Sequence, residues 1–371
     1  MATTNISSTD FLAFNDNTEA IQLTSGTTAE RPSSASNGEM RYNTTDNKVE
    51  YYDGANWIQV ADSSVPIAIS ADFLVVAGGG GSAGMATYDG GTGGAGAGGL
   101  RTSYGSNSGG GSIAESSLSL TTGRDYIVTV GGGGAATGSR TDDRSSGTGS
   151  NSVFSTITSD GGGYGGGMNA ARNAQTGGAG GSGGGGGTRN QSSNGGAGTA
   201  NQGYDGGAST GSYTGPGGGG AGAAGAGNNN NDAVGAQGGD GLVVLIAPFS
   251  LAVTTANVGQ GVGGTNVWYS GGGAGSPYSS PYTAAPTSYG GGGQYTTGSG
   301  TPGTANTGGG AGGTARAGGT SGGSGGSGVV IVRYPNTRTM TVGAGLTVVH
   351  GTDGSDKIAI FKSGSDNISF S

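Results

Sequence analysis

Several residue types are scarce or missing in this sequence. Cysteine is absent from the 371 residues, which excludes disulfide bonds and thiolate metal sites. Charged residues make up only 10% of the chain, and acidic residues outnumber basic ones by 22 to 14. Lysine occurs only at Lys48, Lys357 and Lys362. Nucleic acid is therefore not expected as a partner, because its phosphates call for a basic surface.

Long apolar segments and helical periodicity are missing too. The N-terminus does not begin with a charged segment followed by an apolar one, as a secretory signal peptide does. We therefore expect synthesis in a cytoplasm without export by that route. No apolar run is long enough to span a membrane, and no 3.6-residue spacing of apolar residues indicates an amphipathic helix. These absences favour an all-β chain.

Motifs for catalysis or metal binding are weak. Gly-x-Ser-x-Gly occurs at residues 207–211 and 319–323, but it indicates a hydrolase nucleophile only between a strand and a helix. His350 is the only histidine. Residues 351–358 approach a calcium-binding nonapeptide, although calcium in that architecture requires stacked repeats, and a turn between strands is the favoured interpretation. We expect no catalytic residue, no metal site and no cofactor.

Glycine, in contrast, is abundant, with 93 residues. Glycine loses much conformational entropy on ordering and brings no apolar area, so a hydrophobic core does not explain residues 77–328. The segment is either a flexible linker or a set of extended three-residue-per-turn helices whose backbones hydrogen-bond laterally. Collagen is excluded, because no Gly-X-Y period is kept and proline occurs only 9 times. Embedded apolar strands such as Tyr126–Val130 favour the ordered layers.

Composition and pattern divide the chain into four segments. We predict an N-terminal β-module at residues 1–62, a first glycine-rich array at 63–248, a second array at 249–335, and a C-terminal β-domain at 336–371. Both arrays contain Gly-Thr-Ala-Asn and close with Gly-Gly-x-Gly, an apolar strand and proline, which indicates internal repetition. The opening and closing strands of each array are expected to pair with each other. In the C-terminal segment, alternation predicts four short strands, with Gly364 at a turn.

The N-terminal segment shows the clearest strand pattern. Residues 39–43, 48–52 and 57–60 are rich in aromatic and β-branched residues, and turns at 44–47 and 53–56 separate them, which predicts a β-meander. A three-stranded sheet is marginal alone. We therefore expect its apolar face to pack against neighbouring subunits.

Residues 26–57 resemble a module of bacteriophage tail fibres and other fibrous virion proteins. The resemblance lies in an Arg-Pro turn at Arg31-Pro32, the strand Gly38-Glu39-Met40-Arg41-Tyr42-Asn43, and the ending Gly54-Ala55-Asn56-Trp57. The arrays are similar to glycine-rich domains of marine and cyanobacterial phage fibres, and in composition to polyglycine-sandwich tip adhesins. The resemblance implies an elongated, intertwined homotrimer on a virion, contacting tail or baseplate proteins.

Tyrosines are spread singly through the arrays. Each ring either covers glycine backbone or a subunit seam, or binds a receptor, since tyrosine offers a large amphipathic contact area at low entropy cost. The segment 276–282 is expected to be exposed because its prolines interrupt the glycine layer. The candidate receptor-binding residues are Tyr278, Tyr282, Tyr289 and Tyr295.

The favoured function is a structural one. We predict a phage tail fibre or spike subunit that attaches the virion to a host cell-surface glycan or protein. A head fibre or capsid decoration protein would use the same modules, and a cellular adhesive or ice-binding glycine-rich protein is the alternative from another class. An enzyme is disfavoured, because a glycan depolymerase would need clustered carboxylates and the acidic residues here are few and scattered.

Overall fold

A computed structural model describes residues 23–371, with gaps at residues 61–65, 85–89, 138–146, 169–172, 229–232, 279–285, 287, 297 and 315–320. The chain forms two compact units, at residues 1–67 and 68–371. From residue 68 onward, the residues assigned from the sequence to two glycine arrays and a C-terminal domain lie together in the second unit. The four segment boundaries themselves stay a prediction.

The first unit contains the predicted β-meander. Its four-stranded sheet has the order β1-β2-β3-β4, with β1 at Ser25–Gly26, β2 at Met40–Asn43, β3 at Lys48–Tyr52 and β4 at Trp57–Gln59. The meander strands pair antiparallel, while β1 runs parallel to β2. A short 3₁₀ turn at Thr28–Glu30 follows β1, and the Glu30 side chain accepts the N–H of Thr27 at 2.7 Å.

The second unit is nearly all β. Its strands are β5 Ala68–Val76, β6 Leu100–Thr102, β7 Leu118–Thr121, β8 Asp125–Thr129, β9 Ser152–Phe154, β10 Ile157–Ser159, β11 Ser192–Ser193, β12 Ser209–Thr210, β13 Leu242–Val243, β14 Gln260–Val262, β15 Asn266–Tyr269, β16 Tyr295–Thr296, β17 Ser299–Gly300, β18 Val329–Pro335, β19 Met340–Val342, β20 Leu346–Asp353 and β21 Asp356–Phe370. A 3₁₀ turn at Gly109–Gly111 and a π-helix at Ser250–Thr255 interrupt them.

Ten of these strands form one large sheet. Its central path is β10-β9-β8-β21-β18-β5-β6, while β7 pairs with β5, and β19 and β20 pair with β21. The fifteen-residue β21 thus contacts four other strands. The turn expected at Gly364 is wrong: β21 continues through this residue, whose φ of 102° lets the strand bend from its pairing with β20 to its pairing with β8.

The strands that open and close the arrays pair differently from the expectation. We expected β5 to pair with the closing strand at 242–248, and β15 with β18. Instead β5 pairs with β18, and β13 pairs with β15. The reason is burial, because β5 and β18 both carry continuous buried apolar runs suited to the centre of a covered sheet, whereas β13 is short and half-buried. The pair formed by β5 and β18 therefore encloses the glycine segments of both arrays, rather than each array having its own pair.

A hydrophobic cluster lies on each face of the large sheet. Phe73 and Val75 of β5 join Phe361 in one cluster, whereas Leu74 and Val76 join Ile360 in the other. The second cluster is closed by Ala252 of the π-helix, by Ala256 directly after that helix, and by Val267 and Tyr269 of β15. Successive side chains of a strand point to opposite faces, so β5 contributes to both clusters. The large sheet thus supplies the apolar core that the glycine residues cannot form.

Candidate functional site

The glycine segments are joined by lateral backbone hydrogen bonds with a period of three residues. The N–H of Gly78 donates to the carbonyl of Ser150, that of Gly79 to Gly326, and that of Gly80 to Gly96. The cycle then repeats, because Gly81 donates to Gly147 and Ser82 to Gly323. A strand alternates with period two, so this pattern is that of an extended three-residue helix bonded to three neighbours.

The segment at residues 93–99 lies inside this lattice. Its N–H groups donate in rotation to three segments, at residues 160–166, 216–219 and 308–311. Its carbonyls accept from three further segments: Gly94 from Gly185, Ala95 from Gly273, and Gly96 from Gly80. Six neighbours surround one chain, and they accept every N–H and donate to most carbonyls of residues 93–99.

Close approach leaves no space for side chains between these segments. A Cβ built on Gly162 or Gly184 would lie under 3.0 Å from backbone atoms of the adjacent segment. Both residues are buried. The ordered-layer interpretation is therefore confirmed for the described residues, and the flexible-linker alternative is wrong for them.

Hydroxyl side chains occupy the few wider positions. Ser82 Oγ donates to the carbonyl of Gly312 at 2.7 Å, and the N–H of Thr314 donates to Thr92 Oγ1 at 2.6 Å. These residues are buried and hydrogen-bonded to backbone, so they replace a glycine contact without leaving a polar atom unsatisfied. Larger side chains have no room at most glycine positions, because a Cβ there would already meet backbone atoms at under 3.0 Å.

The first candidate tyrosine lies beside a second aromatic ring. Tyr278 is half-buried and stacks on Tyr213, with ring centroids 4.4 Å apart and an interplanar angle of 24°. The expectation that the segment is exposed is wrong at its beginning, because Ser276 is fully buried and its Oγ accepts the N–H of Thr92 at 3.0 Å. Tyr282 lies outside the described residues.

The other two candidates differ in exposure. Tyr289 is 41% exposed and its ring lies 4.9 Å from that of Trp268, while its N–H donates to Asp240 Oδ1 at 2.9 Å. Tyr295 is only 4% exposed, and its hydroxyl oxygen accepts the N–H of Gly298 at 3.1 Å. Contact through the ring of Tyr295 would require local opening, whereas Tyr289 presents its ring directly.

Sequence reasoning missed the partners that hold these rings. Tyr213 and Trp268 are separated from Tyr278 and Tyr289 by tens of residues, and only the folding of the glycine segments brings them together. The one available signal was the position of Trp268 on β15, where it alternates with the buried Val267 and Tyr269 and must face the other side. Burial raises the pKa of Tyr269, which stays neutral.

The N-terminal sheet presents a second candidate surface. Met40, Tyr51 and Ile58 form one cross-strand row over β2, β3 and β4, and each is more than a third exposed. Val60, which follows β4, is 41% exposed as well. Tyr42 and Val49 are paired in the next row on the same side. We call these six residues the apolar face.

The opposite side of that sheet is polar and closed. Glu50 is fully buried, and its carboxylate accepts hydrogen bonds from Arg31 Nη2 at 2.6 Å and from Asn43 Nδ2 at 3.1 Å. Arg41 lies 3.6 Å from the same carboxylate and over the ring of Trp57. The hydrogen bond from Arg31 is the main cause that holds the pKa of Glu50 below its usual range. The sheet thus buries its charges and exposes its apolar residues.

The remaining motifs have structural explanations where they are described. Asp353 and Asp356 flank a two-residue turn between β20 and β21, which confirms the turn expected there, and both carboxylates pair with Arg333 at 2.7 and 2.8 Å. Ser209 of Gly-x-Ser-x-Gly lies buried in β12, donating to the carbonyl of Gln191. Within the described ranges, no three His, Asp or Glu residues are grouped to hold a metal ion, and no helix has the length and apolarity to cross a membrane.

In the part of the chain that the structure describes, the protein combines a framework of β-strands with a hydrogen-bonded glycine lattice, and few of its aromatic side chains are exposed. The glycine-rich domain family matches residues 59–335, and the chain belongs to this family. No curated protein and no solved structure matches it.

Proposed function

We propose that this protein is a structural virion protein, a phage tail fibre or spike subunit that attaches the particle to the host surface. The observation that carries the proposal is the apolar face of the N-terminal sheet, which belongs to the module that resembles fibrous virion proteins. A monomer that exposes such a row of large apolar side chains invites association. The lattice of the second unit supports the same conclusion, because it gives rigidity with few side chains.

Self-association through the apolar face would supply the buried apolar area that the small sheet lacks. The described part of the first unit is too small to bury a sizeable core, and its interior side is filled by the Glu50 network. We propose a homotrimer in which the rows containing Met40, Tyr51 and Ile58 meet around a common axis.

Host contact would come from the aromatic groups at the lattice edges. The glycine layers offer backbone that is already hydrogen-bonded, so selectivity must come from large exposed side chains. Tyr289, backed by Trp268, and Tyr278, backed by Tyr213, are held in place by ring contacts. Preorganised rings lose little entropy on binding, which suits a glycan or protein receptor.

Localisation on intact particles tests this proposal. Gold-labelled antibodies against the purified protein should decorate the tail or its fibres in electron micrographs of virions, and the same antibodies should reduce adsorption to host cells. Label on the capsid would instead support a head fibre or decoration protein. Particles without label, together with label on the surface of uninfected cells, would contradict a virion role.

A further inference from the structure

A cavity of about 410 Å³ opens at one end of the large sheet. Its lining includes side chains from the adjacent strands β18, β21 and β20, from β19 and from the residue before β19, namely Tyr334, Thr339, Met340, His350, Thr352 and Lys357. The volume lies in the range of roughly 300–1,000 Å³ that is usual for small-molecule sites. Neither the tyrosines of the lattice edge nor the apolar face belongs to it.

Strand register explains why these residues meet. Thr352 of β20 is paired with Lys357 of β21, and Lys357 is paired with Tyr334 of β18, so the three form one cross-strand row. His350 lies two residues before Thr352 and therefore on the same side of the sheet. The row forms a floor of polar groups at the margin of a hydrophobic cluster that includes Tyr334.

The charge at this floor is positive although the protein is acidic. Lys357 donates one hydrogen bond to the carbonyl of Arg338 at 2.8 Å, and an ammonium group has two further donors. The nearest acidic residues in sequence, Asp353 and Asp356, alternate with Thr352 and Lys357, face the other side, and pair with Arg333. Within the described ranges, the residues that line the cavity include no carboxylate.

Tyr334 adds a fixed hydroxyl group. The residue is only 3% exposed, and its ring packs edge-on against Phe370 with centroids 5.2 Å apart. Burial raises the pKa of Tyr334, so its hydroxyl stays protonated and able to donate. With the hydroxyls of Thr339 and Thr352, the cavity offers several neutral hydrogen-bonding groups around one cation.

We propose that this cavity binds a carboxylated monosaccharide unit of an acidic glycan, such as a uronic acid. The ammonium of Lys357 pairs with the sugar carboxylate, the hydroxyls of Tyr334, Thr339 and Thr352 bond to ring hydroxyls, and Met340 packs against ring C–H groups. A single lysine matches the single charge of a carboxylate better than the two charges of a phosphate. The inference rests on the proposed function only for the source of the sugar, a host-surface glycan.

His350 makes the binding test direct, because its imidazole signal is the only histidine signal of the chain. The purified protein is titrated with methyl β-D-glucuronide while the His350 ring shift is followed by NMR. Methyl β-D-glucoside, which lacks only the carboxylate, and inorganic phosphate are titrated in parallel. We expect a saturable shift with the glucuronide, and affinities about tenfold or more lower with the other two, which corresponds to about 1.4 kcal/mol.

Two variants and a matched control locate the site. Lys357→Met keeps the aliphatic stem and should weaken glucuronide binding about tenfold or more, since a charge-assisted hydrogen bond is lost. Lys362→Met, on the same strand but away from the cavity lining, should bind like the parent. Tyr334→Phe removes one hydroxyl and should weaken binding severalfold, and it serves as the test if Lys357→Met does not fold.

Several results would overturn the inference. These are the absence of a saturable glucuronide shift, equal affinity for glucoside or phosphate, or equal losses in Lys357→Met and Lys362→Met. Because binding is measured on the isolated protein, the result does not depend on where the protein lies in a virion. A positive titration with a protein absent from virions would keep the site and reject the proposed fibre role.

Discussion

A single methyl group at Gly162 should destabilise the whole glycine lattice. The N–H of Gly162 donates to the carbonyl of Gly78 at 2.8 Å, and its carbonyl accepts the N–H of Gly149 at 2.9 Å. A Cβ at this position would lie under 3.0 Å from backbone atoms of Gly96 and Ala97. Those atoms are themselves bonded to further segments, so they cannot move without disturbing their own hydrogen bonds.

The expected cost of Gly162→Ala can be worked out from two contributions. Overpacking a tightly packed site costs about 1–3 kcal/mol. Loosening the two hydrogen bonds of residue 162 adds about 1 kcal/mol each. The sum of about 3–5 kcal/mol is a large part of the roughly 5–15 kcal/mol that stabilises a typical protein. We therefore expect a fall in Tm on the order of 10 °C.

Gly132→Ala is the matched control for this substitution. Gly132 lies in the same glycine field, no heavy atom lies within 4 Å of the position of its Cβ, and its φ is not in the positive region. Thermal unfolding followed by circular dichroism should give a Tm for this variant equal to or slightly above that of the parent, because alanine restricts the unfolded chain. Equal Tm values for Gly162→Ala and Gly132→Ala would refute the lattice.

Three further variants test the other surfaces. Met40→Asp places a charge on the apolar face and should convert the proposed trimer to a monomer in light scattering, whereas an unchanged trimer mass would reject that interface. Glu50→Ala leaves the buried Arg41 and the half-buried Arg31 without their carboxylate partner and should cost about 3–5 kcal/mol at neutral pH. Because the hydrogen bond from Arg31 lowers the Glu50 pKa, this stabilisation is present above the unfolded pKa of about 4.3 and is lost as pH falls through the lower folded pKa. Denaturation midpoints should therefore converge for parent and Glu50→Ala in acid, and a constant difference down to low pH would contradict the network. Tyr278→Ala combined with Tyr289→Ala should leave the oligomer intact and reduce adsorption to host cells, and normal adsorption would exclude both rings from the receptor contact.

Local patterns predicted the strands of this protein well. Alternation placed β2, β3 and β4 of the meander, and β19, within a residue of their positions. It predicted a strand at 346–349 and two separate strands at 357–361 and 367–370, whereas β20 extends to Asp353 and the single strand β21 covers Asp356–Phe370. Such strands depend on near neighbours, and Asp53 and Gly54 give the turns a local cause. The exception is Gly364, because a bend within a strand and a turn both use glycine with a positive φ, and only the pairing partners distinguish them.

Long-range arrangement could not be predicted in the same way. Glycine runs look alike, so nothing in residues 93–99 specifies that their neighbours come from near residues 163, 216 and 310. The pairing of β5 with β18 follows from the burial of both strands on both faces of the sheet. In the sequence, a short apolar run that is buried on both faces looks the same as one that is buried on a single face. The cavity floor was missed for a similar reason, since Tyr334 and Lys357 become neighbours only through strand register.

The candidate tyrosines show which property of the site could not be predicted from the sequence, namely which rings are exposed. Single tyrosines among glycines favour packing but are also compatible with binding, and their exposure depends on which segments end nearby. Tyr295 is covered while Tyr289 is exposed, although the two flank the same glycine run at residues 290–293. The sequence identifies the residue type that can carry selectivity, but the lattice geometry decides which ring reaches the surface.

Amide hydrogen exchange tests the central claim most directly. In mass-spectrometric exchange of the intact protein, peptides that cover residues 93–99 and 182–187 should be protected as strongly as peptides from β5 and β18, since their N–H groups are hydrogen-bonded and buried. Exchange of these glycine amides at the rate of an unfolded chain, while β5 and β18 stay protected, would contradict a hydrogen-bonded lattice.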